Sequence, residues 1–108
     1  ISIQYNLKIL FIVFDNGMYG TIRMHQERDY PSHVYGTALK NPDFAALAKA
    51  YGLHAETVTS TRDIRGAIKR CIDQNSASLI HIKVDPEAIT TRTTLTAIRN
   101  KAMSENKA

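Results

Sequence analysis

The stretch LKILFIVFDNGMYG (residues 7–20) places a long apolar run directly before two polar residues and two glycines. Leu7 to Phe14 is apolar except for Lys8, which is typical of a parallel-sheet strand that is covered on both faces. Asp15 and Asn16 follow at the end of this strand. In α/β proteins, ligands bind beyond the carboxyl ends of parallel strands. The stretch therefore predicts a buried strand that ends in a ligand-binding loop.

The remainder of the chain alternates helices and strands. This order implies right-handed crossovers and a parallel sheet. We predict an α/β fold, namely a truncated three-layer doubly wound parallel sheet with about three strands and three to four helices. The first strand is the most apolar, so we expect it to be central, with a neighbour lacking on one side. The predicted elements are helices at about 18–28, 41–52, 61–72 and 95–103, strands at about 54–59 and 78–84, and an irregular loop at 29–40.

The two middle helices carry recognisable start and stop signals. Asn41 is predicted to cap the first of them, with Pro42 at its first helical position and Gly52 at its end. Ser60 or Thr61 is predicted to cap the second. Residues at helical spacing form their expected buried faces, which are Phe44, Leu47, Ala48 and Tyr51 in the first helix and Ile64, Ala67, Ile68, Cys71 and Ile72 in the second.

Composition excludes several classes of function. The chain has 108 residues and a net charge of +4, and four of its basic residues but one acidic residue follow position 90. The rest is therefore nearly neutral and has no basic stripe with interleaved aromatics, so we predict no nucleic-acid binding. No apolar run is long enough to span a membrane, and no membrane association is predicted. A single cysteine, Cys71, fits a reducing compartment, which predicts a cytoplasmic protein.

Several other polar residues have ordinary structural interpretations. The four histidines are predicted to form no metal centre. His81 is expected to face solvent, because Ile80, Ile82 and Val84 alternate with it along the last strand. Glu27 and Arg28 are expected to form a solvated pair. The residue types leave two alternatives for His25, an exposed helical side chain, which we favour, or a substrate contact, while Cys71 is expected to be an inert core residue.

The loop after the first strand suits a magnesium diphosphate. The side-chain oxygen of Asn16 can ligate a hard cation, and Gly17 allows a turn that directs the Met18 carbonyl to the same ion. The start of the next helix offers free N–H groups to a diphosphate. Spacing alone leaves a second interpretation open, since Asn-Gly is also a common turn dipeptide.

The same loop also resembles a known motif. DNGMYGTIRMHQE (residues 15–27) is similar to the second half of the thiamine diphosphate motif, Gly-Asp-Gly followed by Asn-Asn, and the similarity continues through Tyr30-Pro31, Gly36-Thr37, residues 41–52 and IKVDPEAIT (residues 82–90). The chain thus resembles the C-terminal thiamine diphosphate-binding domain of the acetolactate synthase and benzoylformate decarboxylase group. Nearly the whole chain is covered by this resemblance.

The resemblance implies particular roles for the loop. Asn16 would bind Mg²⁺ through its side chain and Met18 through its carbonyl. Backbone groups of Gly17, Met18, Tyr19 and Gly20 would face the diphosphate, and Ile22 would line the substrate side of the cofactor. Asp15 replaces the first Asn of the motif. This departure adds a negative charge behind the metal and makes Asp15 a possible further ligand.

The resemblance also implies that other parts of an enzyme are needed. The chain begins at Ile1 and enters a core strand almost at once, so we expect it to be part of a longer protein. The Gly-Asp-Gly half would lie before residue 1, and the glutamate that activates the cofactor would lie in another domain. Residues 1–90 are interpreted as the C-terminal half of a cofactor domain and residues 91–108 as a polar basic tail.

The functional prediction is a cofactor-binding portion of an acetolactate synthase-like enzyme. Such an enzyme would use thiamine diphosphate and Mg²⁺ to decarboxylate or ligate 2-oxo acids, as a lyase or transferase, and would form a homo-oligomer. The isolated chain is expected to be inactive and to contain no catalytic residue. Three alternatives stay open: a benzoylformate-type decarboxylase, a truncated non-catalytic chain that self-associates, and a flavodoxin-like binding module.

Overall fold

The computed structural model describes residues 1–105, and its order of elements confirms the predicted one. The elements are β1 (Leu10–Asp15), α1 (Gly20–Asp29), α2 (Phe44–Ala50), β2 (His54–Val58), α3 (Ile64–Ile72), β3 (Ser78–Lys83) and α4 (Leu95–Glu105), with a 3₁₀ turn at Thr61–Asp63. The chain divides into two compact units. The sheet unit comprises Ile1–Asp15 and Asn41–Lys83, and the loop unit comprises Asn16–Lys40 and the chain from Val84 onward.

The sheet unit contains a parallel three-stranded sheet among the described residues, in the order β1-β3-β2. Ser78 of β3 is in register with Leu10 on one side and with His54 on the other. The α/β class is therefore confirmed. The expectation that the first strand is central is wrong, because β3 occupies that place. Apolar residues indicate that the faces of a strand are to be covered, but they do not determine strand order.

Helices α2 and α3 pack on opposite faces of this sheet. Alternation along β3 sends His81 to one face, where it meets Phe44 of α2, and Ser78 to the other. There the Ser78 hydroxyl donates to the Cys71 carbonyl of α3, over 3.4 Å. Ile80 of β3 is fully buried. Helices therefore cover both faces of the central strand β3. The prediction that the first strand is buried is wrong, because Phe11, Ile12 and Phe14 of β1 are exposed.

The start of α2 differs from the predicted one. The N-cap is Asp43, whose side chain accepts a hydrogen bond from the Ala46 N–H over 3.1 Å. Asn41 lies before the helix, and its amide donates to Asp15 instead. An aspartate is as good a cap as an asparagine, so the sequence pattern does not separate the two positions. The end is as predicted, since Gly52 adopts a left-handed φ of +91°.

The buried faces of both middle helices are narrower than predicted. The buried residues are small, namely Ala45 and Ala48 in α2 and Ala67 and Cys71 in α3. Leu47, Tyr51 and Ile72 were expected to be buried and are instead 49%, 70% and 54% exposed. Ser60 precedes the 3₁₀ turn but makes no capping hydrogen bond through its side chain.

The loop unit contains α1, α4 and the segments that join them. Helix α4 confirms the predicted helix in the tail, and Leu95 and Ala102 are its buried residues. Its first turn is held by Glu87, whose carboxylate accepts hydrogen bonds from the Thr96 N–H (2.8 Å) and hydroxyl (2.7 Å). Residues 106–108 of the predicted tail lie outside the described part of the chain.

Glu27 does not form the solvated pair predicted for it. The side chain of Glu27 is 1% exposed and accepts hydrogen bonds from Arg23 Nε (3.3 Å) and from the Ser32 N–H (3.2 Å). A buried carboxylate requires such donors, and one of them comes from a residue five positions along the chain. Arg28 is exposed and pairs with Asp29.

Candidate functional site

The loop between β1 and α1 is shaped by an asparagine and a glycine. Gly17 has a φ of +73°, a left-handed conformation that glycine adopts without steric cost. The Asn16 side-chain oxygen accepts a hydrogen bond from the Met18 N–H over 3.3 Å. An amide oxygen has two lone pairs, so this bond leaves Asn16 with capacity to accept a further partner.

Gly20 provides the space that the Asn16 side chain occupies. A Cβ atom at position 20 would lie 2.8 Å from Asn16 Nδ2 and 3.0 Å from the Ile89 side chain. The first of these distances is shorter than real Cβ atoms show, so the Asn16 side chain would have to shift. Gly20 thus allows the Asn16 amide to lie directly against the first turn of α1.

The backbone of Met18 is held by a short antiparallel bridge to Ala38. The flanking ladder bonds run from the Tyr19 N–H to the Thr37 carbonyl (2.9 Å) and from the Leu39 N–H to the Gly17 carbonyl (2.8 Å). Met18 and Ala38 therefore form a non-hydrogen-bonded pair, in which the backbone groups point away from the partner strand. The Met18 carbonyl lies outside both this ladder and α1, in a position suited to a ligand.

The N-terminus of α1 carries no side-chain cap. Tyr19 is the N-cap residue and makes no side-chain hydrogen bond to the helix, and the first turn has no acidic residue. Helix N-termini leave N–H groups without intrahelical partners and carry partial positive charge. Tyr19 and Ile22 are 53% and 55% exposed. The start of α1 is thus open to an anion such as a diphosphate, beside an exposed apolar side chain.

The irregular loop before α2 braces this site from within the loop unit. Buried Thr37 donates its hydroxyl to the Gln26 side-chain oxygen over 3.1 Å. The Gln26 amide in turn donates to the Tyr35 carbonyl over 2.9 Å. Sequence reasoning missed this support, because no spacing rule links a loop threonine to a helical glutamine eleven positions earlier.

Asp15, at the end of β1, is engaged within the sheet unit. One of its oxygens accepts from the Asn41 amide over 2.7 Å, and the other lies 2.7 Å from His81 Nε2. The prediction that His81 faces solvent is wrong, since it is 1% exposed and its ring meets Phe44 edge-on at 5.1 Å between centroids. Because β3 is the central strand, helices cover both of its faces, and alternation no longer separates buried from exposed residues.

The Asp15–His81 pair lines a polar hollow of about 290 Å³ at the carboxyl end of the sheet, together with Asn41 and Lys83. His81 Nδ1 is buried and has no hydrogen-bond partner among the described residues. The possible metal role of Asp15 stays a prediction, and the two hydrogen bonds give its carboxylate a second role as the partner of a buried histidine.

The remaining predicted residues have simple environments. His25 is exposed, and its Nδ1 lies 2.6 Å from Arg28 Nη2. Cys71 is buried, and burial raises the pKa of its thiol. In the described part of the chain, no helix is long and apolar enough to cross a membrane.

The fold and loop together define a class of protein. In α/β proteins, phosphorylated ligands bind at a polar loop that follows a parallel strand and leads into a helix with an uncapped start. The oxygen donors of Asn16 and Met18 fit a hard cation such as Mg²⁺, and the open helix start fits a diphosphate. The site therefore suits a metal-bound diphosphate cofactor.

Comparison with known proteins gives the family. The family described as "Thiamine pyrophosphate enzyme, C-terminal TPP binding domain" matches residues 1–82. The chain belongs to this family, and the resemblance found in the sequence is confirmed.

Relatives with described activities match most of the chain. A probable acetolactate synthase large subunit from Methanocaldococcus jannaschii is 30% identical over 84 residues, covering 77% of this chain and 14% of the relative. The acetolactate synthase isozyme 2 large subunit of Escherichia coli is 30% identical over 83 residues, covering 76% of this chain and 15% of the relative. A 3D-(3,5/4)-trihydroxycyclohexane-1,2-dione hydrolase 2 from Bacillus cereus is 32% identical over 102 residues, covering 82% of this chain and 16% of the relative.

A solved structure supports the fold. Benzoylformate decarboxylase from Polynucleobacter necessarius superposes with a TM-score of 0.69 at 24% identity, covering 80% of this chain and 16% of the decarboxylase. The chain thus spans 14–16% of the length of these related proteins.

Proposed function

We propose that this chain is the thiamine diphosphate- and Mg²⁺-binding portion of an acetolactate synthase-like enzyme that acts on 2-oxo acids. The geometry of the Asn16–Gly20 loop carries the proposal. It combines a neutral side-chain oxygen, a carbonyl outside the backbone ladder and an uncapped helix start. Family membership accounts for the cofactor, and the two acetolactate synthase relatives at 30% identity favour a synthase over a simple decarboxylase.

In this proposal, the residues of the chain bind and orient the cofactor. Asn16 Oδ1 and the Met18 carbonyl hold the Mg²⁺, and the first N–H groups of α1 hold the diphosphate. Ile22 presents an apolar surface on the substrate side. When bound, thiamine diphosphate supplies the nucleophilic carbon and the electron sink for decarboxylation and carbon–carbon bond formation. Asp15 lies one residue before Asn16 and anchors the end of β1 through His81.

The buried, single cysteine is consistent with a reducing compartment, and we propose a cytoplasmic enzyme. A non-catalytic, self-associating chain is the second candidate. The exposed apolar side chains of β1 favour it.

The test is a titration of cofactor and Mg²⁺ into the intact enzyme that we propose contains this chain. Asn16→Ala removes the side-chain ligand and should weaken cofactor affinity by about tenfold to a hundredfold, the range seen when a partner at a metal site is lost. Gly20→Ala should weaken the affinity less than Asn16→Ala does, because the new Cβ requires the Asn16 amide to shift but leaves it in place as a ligand. His33→Asn, an exposed change elsewhere, is the matched control. Unchanged affinity in Asn16→Ala would contradict the assignment of the ligand.

A further inference from the structure

A second group of potential metal ligands lies on the sheet face that α3 covers. His54 and Glu56 are two positions apart on β2, so their side chains emerge on the same face. Cys71 of α3 packs on that face. One ligand atom from each of the three residues lies within 4.8 Å of the others. Sequence reasoning missed this group, because Cys71 is distant in the chain and no spacing rule connects it with a strand.

The three side chains are arranged from solvent inward. The side chains of His54 and Glu56 are 31% and 20% exposed, and His54 Nε2 lies 2.8 Å from Glu56 Oε2. Cys71 lies beneath them and is 3% exposed. An ion from solvent would therefore reach the imidazole and carboxylate first, and the thiol would complete the set from the core side.

Arg70 holds the carboxylate in place. Its Nη2 and Nε donate to Glu56 Oε1 over 2.7 and 2.9 Å, and Nε also lies 3.0 Å from Oε2. The Arg70 contacts are thus strongest at the oxygen that does not meet His54. Glu56 can bind an ion through Oε2 while Oε1 keeps its hydrogen bonds to Arg70, and outer partners of this kind orient ligands at metal sites.

We propose that His54, Glu56 and Cys71 form a binding site for Zn²⁺ or a similar borderline divalent ion. One nitrogen, one oxygen and one sulfur ligand suit such an ion, whereas a hard cation such as Mg²⁺ prefers an all-oxygen set. Water from the exposed side provides the fourth ligand. The ion replaces the His54–Glu56 hydrogen bond and joins β2 to α3.

Binding has a proton balance that can be measured. The Cys71 thiol loses its proton when the sulfur–metal bond forms, and the proton goes to solvent. Affinity should therefore rise with pH over the neutral range.

The first measurement is a Co²⁺ titration of the reduced, metal-free 108-residue chain. We expect one ion per chain, with a thiolate-to-cobalt charge-transfer band that added Zn²⁺ abolishes. Cys71→Ser should remove the band, and His54→Gln should weaken binding at least about tenfold. The matched control is His33→Asn, which changes an exposed histidine elsewhere in the chain. It should bind as the original chain does.

The second measurement does not depend on a core substitution. Zn²⁺ should raise the melting temperature of the original chain and of His33→Asn, but much less that of His54→Gln, whose side chain is partly exposed. A chain that shows no stoichiometric Co²⁺ binding would overturn the proposal. So would a charge-transfer band that persists in Cys71→Ser, or an equal melting shift in His54→Gln.

Discussion

Asp15 stands where the family motif has an asparagine, and its carboxylate has a structural role in this chain. Both of its oxygens are used inside the sheet unit, by Asn41 and by His81. His81 is buried in the central strand, where its Nδ1 already lacks a partner among the described residues. Buried polar groups without partners cost about 1–3 kcal/mol each, so the loss of a second bond at this ring should be measurable.

Asp15→Ala should lower the free energy of unfolding by about 1–3 kcal/mol, because it leaves the buried His81 without its Nε2 partner. Asp15→Asn restores the residue of the family motif and retains a side-chain oxygen as acceptor, so it should cost less. Urea denaturation of the three proteins measures the difference. Equal stability of the alanine and asparagine variants would show that the His81 hydrogen bond does not contribute.

At the scale of elements, the sequence predicted the positions of the helices and strands better than it predicted which residues surround them. Periodicity located β1, α2, β2, α3 and β3 because it reports which residues are apolar along one element. It did not reveal that β3 is central, since strand order depends on pairing between distant segments. His81 was misplaced for that reason. The exposure of Leu47 and Tyr51 was missed because helix spacing identifies an apolar face but not the neighbour that covers it.

The cofactor loop was likewise predicted only in part. The spacing of Asn16, Gly17 and Met18 indicated a cation and diphosphate site, and the left-handed Gly17 and the uncapped start of α1 agree with it. The bridge from Met18 to Ala38 could not be predicted. It joins the loop to a segment that lacks regular periodicity, where sequence patterns carry little information about pairing.

Helix α4 depends on a carboxylate and should respond to acid. Hydrogen bonds from Thr96 hold the pKa of Glu87 below its ordinary value. A carboxylate with a lowered folded-state pKa contributes stability above its unfolded pKa and loses it as pH falls through the folded value. The pKa of Glu56 is also lowered, chiefly by its hydrogen bonds with Arg70. Stability should therefore fall as pH drops below about 4.

Glu87→Gln should flatten this acid dependence, because the glutamine keeps an acceptor for Thr96 but does not titrate. Glu105→Gln, at the other end of α4, is the control and should leave the profile unchanged. The measurement is the free energy of urea unfolding between about pH 3 and pH 7. Identical slopes in all three proteins would contradict a role for the Glu87 carboxylate.

At the scale of the whole molecule, the chain spans 14–16% of the length of its relatives. The 108 residues contain no Gly-Asp-Gly tripeptide, and we propose that this half of the motif and the activating glutamate belong to other parts of the enzyme. We therefore predict that the 108-residue chain alone, supplied with thiamine diphosphate and Mg²⁺, does not consume pyruvate. A coupled assay for CO₂ release measures pyruvate consumption, with an intact acetolactate synthase as the positive control. Steady turnover by the chain alone would disprove the prediction.

We also expect the chain to self-associate, because the surface of β1 is exposed. This strand pairs with β3 on one side among the described residues, and Phe11, Ile12 and Phe14 are 40%, 43% and 70% exposed. Beside it lies an apolar hollow of about 340 Å³, lined partly by Leu47 and Tyr51. An exposed apolar edge strand is a template for pairing with another chain, and stable interfaces bury roughly 800 Å² per partner.

We therefore propose that the chain forms a homodimer or larger assembly through β1. Light scattering after size-exclusion chromatography should give at least twice the chain mass of 12.1 kDa at micromolar concentration. Ile12→Lys places a charge on the exposed strand and should shift the protein towards monomer. Ile72→Lys, which changes an exposed isoleucine on α3, should leave the mass unchanged. A monomer whose β1 amides are strongly protected from hydrogen exchange would show that this edge is covered within a single chain.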